Sequence, residues 1–437
     1  MKSRTRWYLI GWMLVISAVS YLDRVNISIA GKSMETEFGL TDIQLGWVFS
    51  SFVLGYALFQ APGGRLADRV GPRRLIAWAT VWWAIFTALT GLAPAGFAGA
   101  LMLLMVVRFG LGIGESVVYP ASNRLVASWI PSNERGLANG LIFAGVGIGA
   151  GISPPLITWI MLREGWRASF VLSAGLGLAA GLVWFFLARD KPDNYPWISE
   201  AELAYIQKGL PHVQRKRRLS WAAIFSNRTV AALTLSYATF GYSAYIFFTW
   251  FFIYLTKVRN LNLKSGSIFG MLPFIAMAIG APLGGWISDF LLRRTSRKTA
   301  RCGLAGVAMA LAGAFIILGP QVQNIRLASF VLTGGAGALY VSQSIFWVVS
   351  SEIGGEAAGS VSGVMNMGNQ LAGALTASLS PLIASTLGWN VSFAVAGALC
   401  GIGALTWFFV NLDATIGREP QAYGLALSPK DRIASSK

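Results

Sequence analysis

Apolar segments about 20 residues long, the length that crosses a bilayer as a helix, recur from one end of this chain to the other. Twelve are legible, at residues 7–28, 43–64, 74–92, 98–121, 137–161, 168–188, 230–255, 266–290, 302–320, 327–349, 358–386 and 390–411. Backbone polar groups in hydrocarbon must be satisfied within the segment, so the expected fold class is an all-α membrane protein with twelve transmembrane helices. Composition agrees: 55% of the 437 residues are hydrophobic and 12% charged, with a mean hydropathy of +0.58. Disorder, a disulfide-stapled secreted domain and a soluble nucleic-acid binder are excluded, since each needs a composition this chain lacks.

The net charge of +17, from 35 Lys and Arg against 18 Asp and Glu, reads as topology and not as a nucleic-acid partner. Loops on the cytoplasmic side collect Lys and Arg. Threading the twelve spans with both termini inside places most of these cations on that side, which predicts a multi-pass protein of the inner (plasma) membrane. The loop with Lys257, Arg259 and Lys264 and the acidic loop with Glu352 and Glu356 run against the trend. Cys302 and Cys400 are too few for a disulfide framework and are expected as free thiols.

The longest polar stretch, about residues 189–228, separates six spans from six and holds the only histidine, His212, and the basic run Arg215–Arg218. The implied organisation is an N-terminal six-helix half (1–190), a cytoplasmic linker (191–227) acting as a tether, a C-terminal half (228–412) and a cytoplasmic tail (413–437). A repeat crosses the linker: GGRLADRVGPRR at 63–74 and GGWISDFLLRR at 284–294 follow the second and eighth spans. Two parallel six-helix repeats are the pattern of a transporter with a central site. Gly64 and Gly285 let helices approach closely. Asp68 and Asp289 can cap neighbouring helix N-termini and accept from Arg73 or Arg293, in contacts that break when the halves rock or, on the plainer reading, only brace the loops.

Four charged residues lie well inside the spans, away from their margins: Asp23 and Arg24 on the first helix, Arg108 and Glu115 on the fourth. Each charge costs at least about 2.5–3.5 kcal/mol in the bilayer, so such residues usually mark a pathway or relay. Arg108 and Glu115 are two turns apart on one helix face, about 10 Å along the axis. A structural ion-pair cluster is the alternative, although buried pairs are often no more stable than apolar replacements. If an anionic solute takes Arg24, the carboxylate that Arg24 had paired becomes easier to protonate, and by linkage a proton tightens the anion equally.

The short loop of small residues, one Asp and trailing Arg resembles the major facilitator superfamily signature. The stretches SYLDRVNISIA at 20–30 and RFGLGIGESVVYPASNRLVASW at 108–129 resemble the anion:cation symporter family within it, which includes bacterial proton symporters for D-galactonate, glucarate and hexuronates and, more distantly, vertebrate organic-anion transporters. The resemblance implies that Asp23 and Glu115 are the protonatable pair, that Arg108 belongs to their charge network, and that Arg24 holds the substrate carboxylate. By the same resemblance Tyr21, Tyr56, Ser344, Trp347 and Asn366 line the pocket. Where sugar-acid members carry a glutamine on the fifth helix, this chain has Val146, which loses hydrogen bonds to substrate hydroxyls and brings a less hydroxylated aromatic or aliphatic carboxylate into contention. The tyrosine-rich seventh helix, with Tyr237, Tyr242 and Tyr245, favours the same alternative.

The expected protein is therefore a proton-coupled importer of a small organic anion, first of all a sugar acid, working as a monomer with no cofactor, metal or nucleic acid. An integral-membrane enzyme is the reading from another class; it would need a nucleophile or metal ligands. GLGLAAG at 175–181 lies inside an apolar span and reads as helix-packing glycine, not as a dinucleotide fingerprint. The same reading applies to Gly145, Gly147, Gly149 and Gly151.

Overall fold

The computed structural model describes residues 4–210, 220–251, 254–261 and 263–413; His212, the run Arg215–Arg218 and the tail from 414 onward lie outside the described residues. The first half comprises α1 (Thr5–Phe38), α2 (Asp42–Val70), α3 (Pro72–Leu92), α4 (Ala100–Ser116) continued by α5 (Val118–Trp129), α6 (Arg135–Glu164) and α7 (Trp166–Leu187). After α8 (Glu200–Gly209) and the short α9 (Trp221–Phe225), the second half comprises α10 (Arg228–Thr249), α11 (Leu263–Leu292), α12 (Leu304–Leu318), α13 (Ile325–Gly354), α14 (Ala358–Leu387) and α15 (Trp389–Thr406). With α4 and α5 taken as one crossing, all twelve expected crossings are helices among the described residues. Ten are apolar enough along their length to count as membrane spans. Among the described residues, α2 and α14 are not among the ten.

Local chemistry sets the helix limits. Thr41 and Gln44 form a capping box at the start of α2, and Pro72 opens α3 directly behind Gly71. Asn227 and Asn324 accept from the first free amides of α10 and α13. Gly165 and Gly388, at φ +79° and +89°, each precede a tryptophan that begins the last helix of its half. The fourth crossing breaks at Val117 because Pro120 has no N–H to give the carbonyl of Ser116. That break falls two residues after Glu115.

The two halves meet along two seams, α2 with α14 and α6 with α11. At the motif end of each, glycines face each other so closely that a Cβ on Gly64 would lie 2.0 Å from the Gly359 carbonyl oxygen, and one on Gly285 2.0 Å from that of Gly136. Asp68 accepts from the amides of Gly359 (3.0 Å) and Ser360 (2.8 Å) and from the Ser360 hydroxyl (2.6 Å) at the start of α14. Asp289 accepts from the amides of Gly136 (3.1 Å) and Leu137 (2.8 Å) at the start of α6. Each aspartate thus caps a helix of the opposite half, and the motif end is closed.

The expected guanidinium partners are different. Arg301 Nη1 donates to Asp289 at 2.8 Å, while its Nη2 reaches the Ser132 carbonyl and Glu352; Arg124 Nε stands 3.8 Å from Asp68. Arg73 instead donates through its amide to Asp190 and through Nε to the Phe185 carbonyl, and Arg293 is exposed at the end of α11. Arg73 lies in the first turn of α3 and Arg293 just past the end of α11, whereas Arg124 stands on α5, which packs against α2 and α14, and Arg301 in the π-helical turn Thr299–Gly303, which packs against α11.

The early linker is also more than a tether. Ser199 caps α8, whose buried Glu202 accepts from the Thr5 amide (3.0 Å) and the Arg6 guanidinium (2.8 Å). Arg6 spans from Glu202 to Glu134, which holds α8 against the first half. Cys302 and Cys400 are free and buried, as expected.

Candidate functional site

The four intramembrane charges come together. Asp23, Arg108 and Glu115 are buried, and the Arg24 side chain is only 10% exposed. Arg24 Nε donates to Glu115 Oε2 at 2.7 Å, and the Ser20 hydroxyl, one helical turn before Arg24, donates to the same oxygen at 3.1 Å. Asp23 accepts from the Thr87 hydroxyl at 2.6 Å and lies within electrostatic reach of Arg108, Glu115 and Arg24. Among the described residues, Asp23 Oδ1, Arg24 Nη2, Arg108 Nε and Nη1 and Glu115 Oε1 are buried with no hydrogen-bond partner. An unpartnered buried polar atom costs about 1–3 kcal/mol, more when charged. Five such atoms in one cluster are not a stability device; they leave room for a ligand or a proton.

Aromatic rings wall this cluster. The Arg24 guanidinium carbon lies 4.1 Å from the Tyr56 ring centre, 4.8 Å from Tyr21 and 5.2 Å from Phe52, and the Phe52 ring also lies 5.0 Å from the Arg108 guanidinium. Face contacts of this kind hold a cation in place without consuming its hydrogen-bond donors. Arg24 therefore offers Nη2 while remaining fixed.

On the other side of Tyr21 and Tyr56 is a cavity between the halves. The first half contributes Tyr119, Phe143 and Val146 besides those two tyrosines; the second contributes Tyr237, Phe240, Tyr245, Phe248, Tyr340, Gln343, Trp347, Asn366, Asn369 and Gln370, with Ala244 between them. The enclosed space is about 30 Å³, room for about two water molecules. With the motif end closed, the cavity has room for little more than water. Rings from both halves meet here: Trp347 lies 5.0 Å from Phe143 and 5.9 Å from Tyr119, and Tyr21 lies 6.1 Å from Phe248.

Of the expected pocket residues, Tyr21, Tyr56, Val146, Trp347 and Asn366 line the cavity. Ser344 does not: it is fully buried, and its hydroxyl has no partner among the described residues. Arg24 stands one layer behind the wall, stacked on Tyr21 and Tyr56. Tyr237 and Tyr245 reach the cavity, while Tyr242 is buried outside its lining. Tyr340, Gln343, Asn369 and Gln370 also line the cavity, beyond the residues the sequence points to. Tyr237 donates to Gln343 Oε1 (3.1 Å) and accepts from Trp347 Nε1 (3.0 Å), and Tyr245 donates to Gln370 Oε1. Tyr340, Gln343 and Trp347, like Asn366, Asn369 and Gln370, repeat at helical spacing within apolar spans, which is the signal that marks a polar pore face.

Among curated proteins, "Probable sulfoacetate transporter SauU" of Cupriavidus necator is 32% identical over 428 residues, covering 97% of this chain and 98% of that protein. "Probable galactarate/D-glucarate transporter GudP" of Bacillus subtilis is 29% identical over 453 aligned positions, covering 100% and 95%. The solved structure of the proton:xylose symporter XylE bound to 6-bromo-6-deoxy-D-glucose superposes with a TM-score of 0.74 over 92% of this chain and 96% of that one; at 15% identity this likeness speaks to the fold alone. The family model described as Major Facilitator Superfamily matches residues 13–377. Two six-helix halves closed by paired aspartate caps, over a buried charge cluster and a central cavity, fit that match, and the chain belongs to the major facilitator superfamily, a family of membrane transporters and not of enzymes.

Proposed function

We propose that the protein is a symporter that imports a small organic anion together with protons by alternating access, as a monomer in the inner membrane with both termini cytoplasmic and no cofactor. The observation that carries this reading is the Arg24–Glu115 pair, in which Arg24 Nη2 and Glu115 Oε1 remain unpartnered directly behind the tyrosine wall of the cavity. An anion that takes the Arg24 fork weakens its hold on Glu115. The freed carboxylate and its neighbour Asp23 then bind a proton more readily, and by reciprocity the proton tightens the anion. Release reverses both steps together.

A sugar acid such as galactonate, glucarate or a hexuronate is the first candidate for the anion, supported by the relative named for galactarate and glucarate. A second reading, a short carboxylate or sulfonate with few hydroxyls, is favoured by Val146 on the cavity wall, by the predominance of aromatic lining and by the relative named for sulfoacetate. A thermal-shift panel of glucarate, galactonate, glucuronate, benzoate, succinate and sulfoacetate on wild type and on Val146→Gln tests both. A ligand at 100 times its Kd stabilises the folded state by about 2.7 kcal/mol, so even weak hits rank. At least one acid should raise the Tm, and Val146→Gln should move the preference toward the polyhydroxy acids. No stabilisation by any acid counts against an anion site, and an unchanged ranking in Val146→Gln removes position 146 from substrate selection.

A further inference from the structure

The α2/α14 seam holds an amide chain that reaches from the cavity to the paired glycines. Asn366 Nδ2 on α14 donates to Gln60 Oε1 on α2 at 3.0 Å, and Asn369 Nδ2 donates to Asn366 Oδ1 at 3.2 Å. All three residues are buried, and Asn366 and Asn369 face the cavity. With Asn369 donating to Asn366 Oδ1, it is the Asn366 NH₂ that faces Gln60. Gln60 Nε2 and Asn369 Oδ1 are buried without partners.

Gln60, Gly64 and Asp68 lie at successive turns on one face of α2. Opposite them the backbones touch: a Cβ on Gly363 would lie 2.5 Å from the Gln60 carbonyl oxygen, and one turn on come the Gly64–Gly359 approach and the Asp68 cap. The seam is therefore one stripe, with its last polar member on the cavity wall. The duplicated half lacks this feature. Eight residues before Asp289, in the place that Gln60 holds before Asp68, stands Ala281, whose carbonyl packs against Gly140. The glycine and aspartate positions repeat in both halves, so the amide sets one seam apart from the other.

We propose that Gln60 is a gate-positioning residue: its bond to Asn366 holds the motif-side seam closed from within the cavity, and a bound solute that engages Asn366 releases it. The second clause rests on the proposed anion site; the first does not. With Leu at position 60, the Asn366 NH₂ is left unpartnered when the seam is closed but meets water when it is open, so the closed form loses its advantage. Glu at position 60 still accepts, and the closed form persists.

The test uses the full-length protein carrying spin labels on Arg69→Cys and Thr295→Cys, exposed motif-end positions in opposite halves, and reads their distance distribution without ligand. Gln60→Leu should raise the ratio of open to closed populations about tenfold, Asn366→Leu should reproduce that shift, the double variant should be no more open than either single one, and Gln60→Glu should match wild type. Wild-type distributions in both Leu variants would overturn the proposal, as would equal opening in Gln60→Leu and Gln60→Glu, which would indicate a packing defect. In a second arm, D-glucarate should shift wild type toward the open form and leave Gln60→Leu unmoved; an equal shift in both chains sinks the release step. No response in either chain counts against the sugar acid, and the ligand-free comparison still decides the latch.

Discussion

Asp23→Asn should reduce proton-driven accumulation from as much as about 100-fold to no accumulation at all. A gradient of two pH units supplies about 2.7 kcal/mol per proton, which sets that limit for one proton per anion. The substitution preserves shape, and the Thr87 hydroxyl still finds an acceptor on the amide, so the fold should hold. What disappears is the protonatable group beside Arg108. Exchange of labelled for unlabelled anion across the proteoliposome membrane at equal pH should survive, because exchange needs no net proton movement. The pair of assays separates a coupling residue from a structural one. Full concentrative uptake by this variant would remove Asp23 from the proton path, and loss of exchange as well would make it part of the anion site or the fold.

Arg24→Lys should weaken anion binding about 10- to 100-fold even though the charge is kept. Nε of Arg24 is committed to Glu115, and the guanidinium plane lies against Tyr21, Phe52 and Tyr56. An ammonium group can pair with Glu115 or meet the anion, but it has no rigid fork to do both at once. Charge-assisted hydrogen bonds are worth about 1.5–3 kcal/mol, which gives the expected range. Calorimetric titration with glucarate and sulfoacetate measures it directly. Wild-type affinity for both would mean that Arg24 braces the aromatic wall and does not touch the solute.

Fold, repeat and charge cluster were legible in the sequence because each rests on a strong local signal. Twenty-residue apolar runs admit few alternatives in a bilayer, and four charges within them stand out against so greasy a background. Asp23, Arg24, Arg108 and Glu115 do converge, as the spacing on two helices suggested. The guanidinium partners of Asp68 and Asp289 were not legible. Arg73 and Arg293 are the near neighbours along the chain, but Arg124 and Arg301 are the near neighbours in space, and only the packing of α5 and of the turn before α12 against the seams reveals that.

The cavity was legible in part. Tyr21, Tyr56, Trp347 and Asn366 came from resemblance and line it, whereas Ser344 stands one layer back. Gln60 lies in the same stretch as Tyr56, and nothing in its own helix distinguishes it from a surface amide. Its role emerges only when Asn366 of the other half is brought to it. Cross-half contacts are the class of feature a single sequence hides, since the two members are 306 positions apart.

The exchange of anion for proton affinity at Arg24 and Glu115 is tested most directly by reversing the usual experiment. Wild-type proteoliposomes with equal pH on both sides receive an inward gradient of glucarate or sulfoacetate, and a pH-sensitive dye follows the lumen. The lumen should acidify in step with uptake of whichever acid is carried, and the acidification should vanish in Asp23→Asn. Uptake of the acid at constant lumen pH would contradict the coupling.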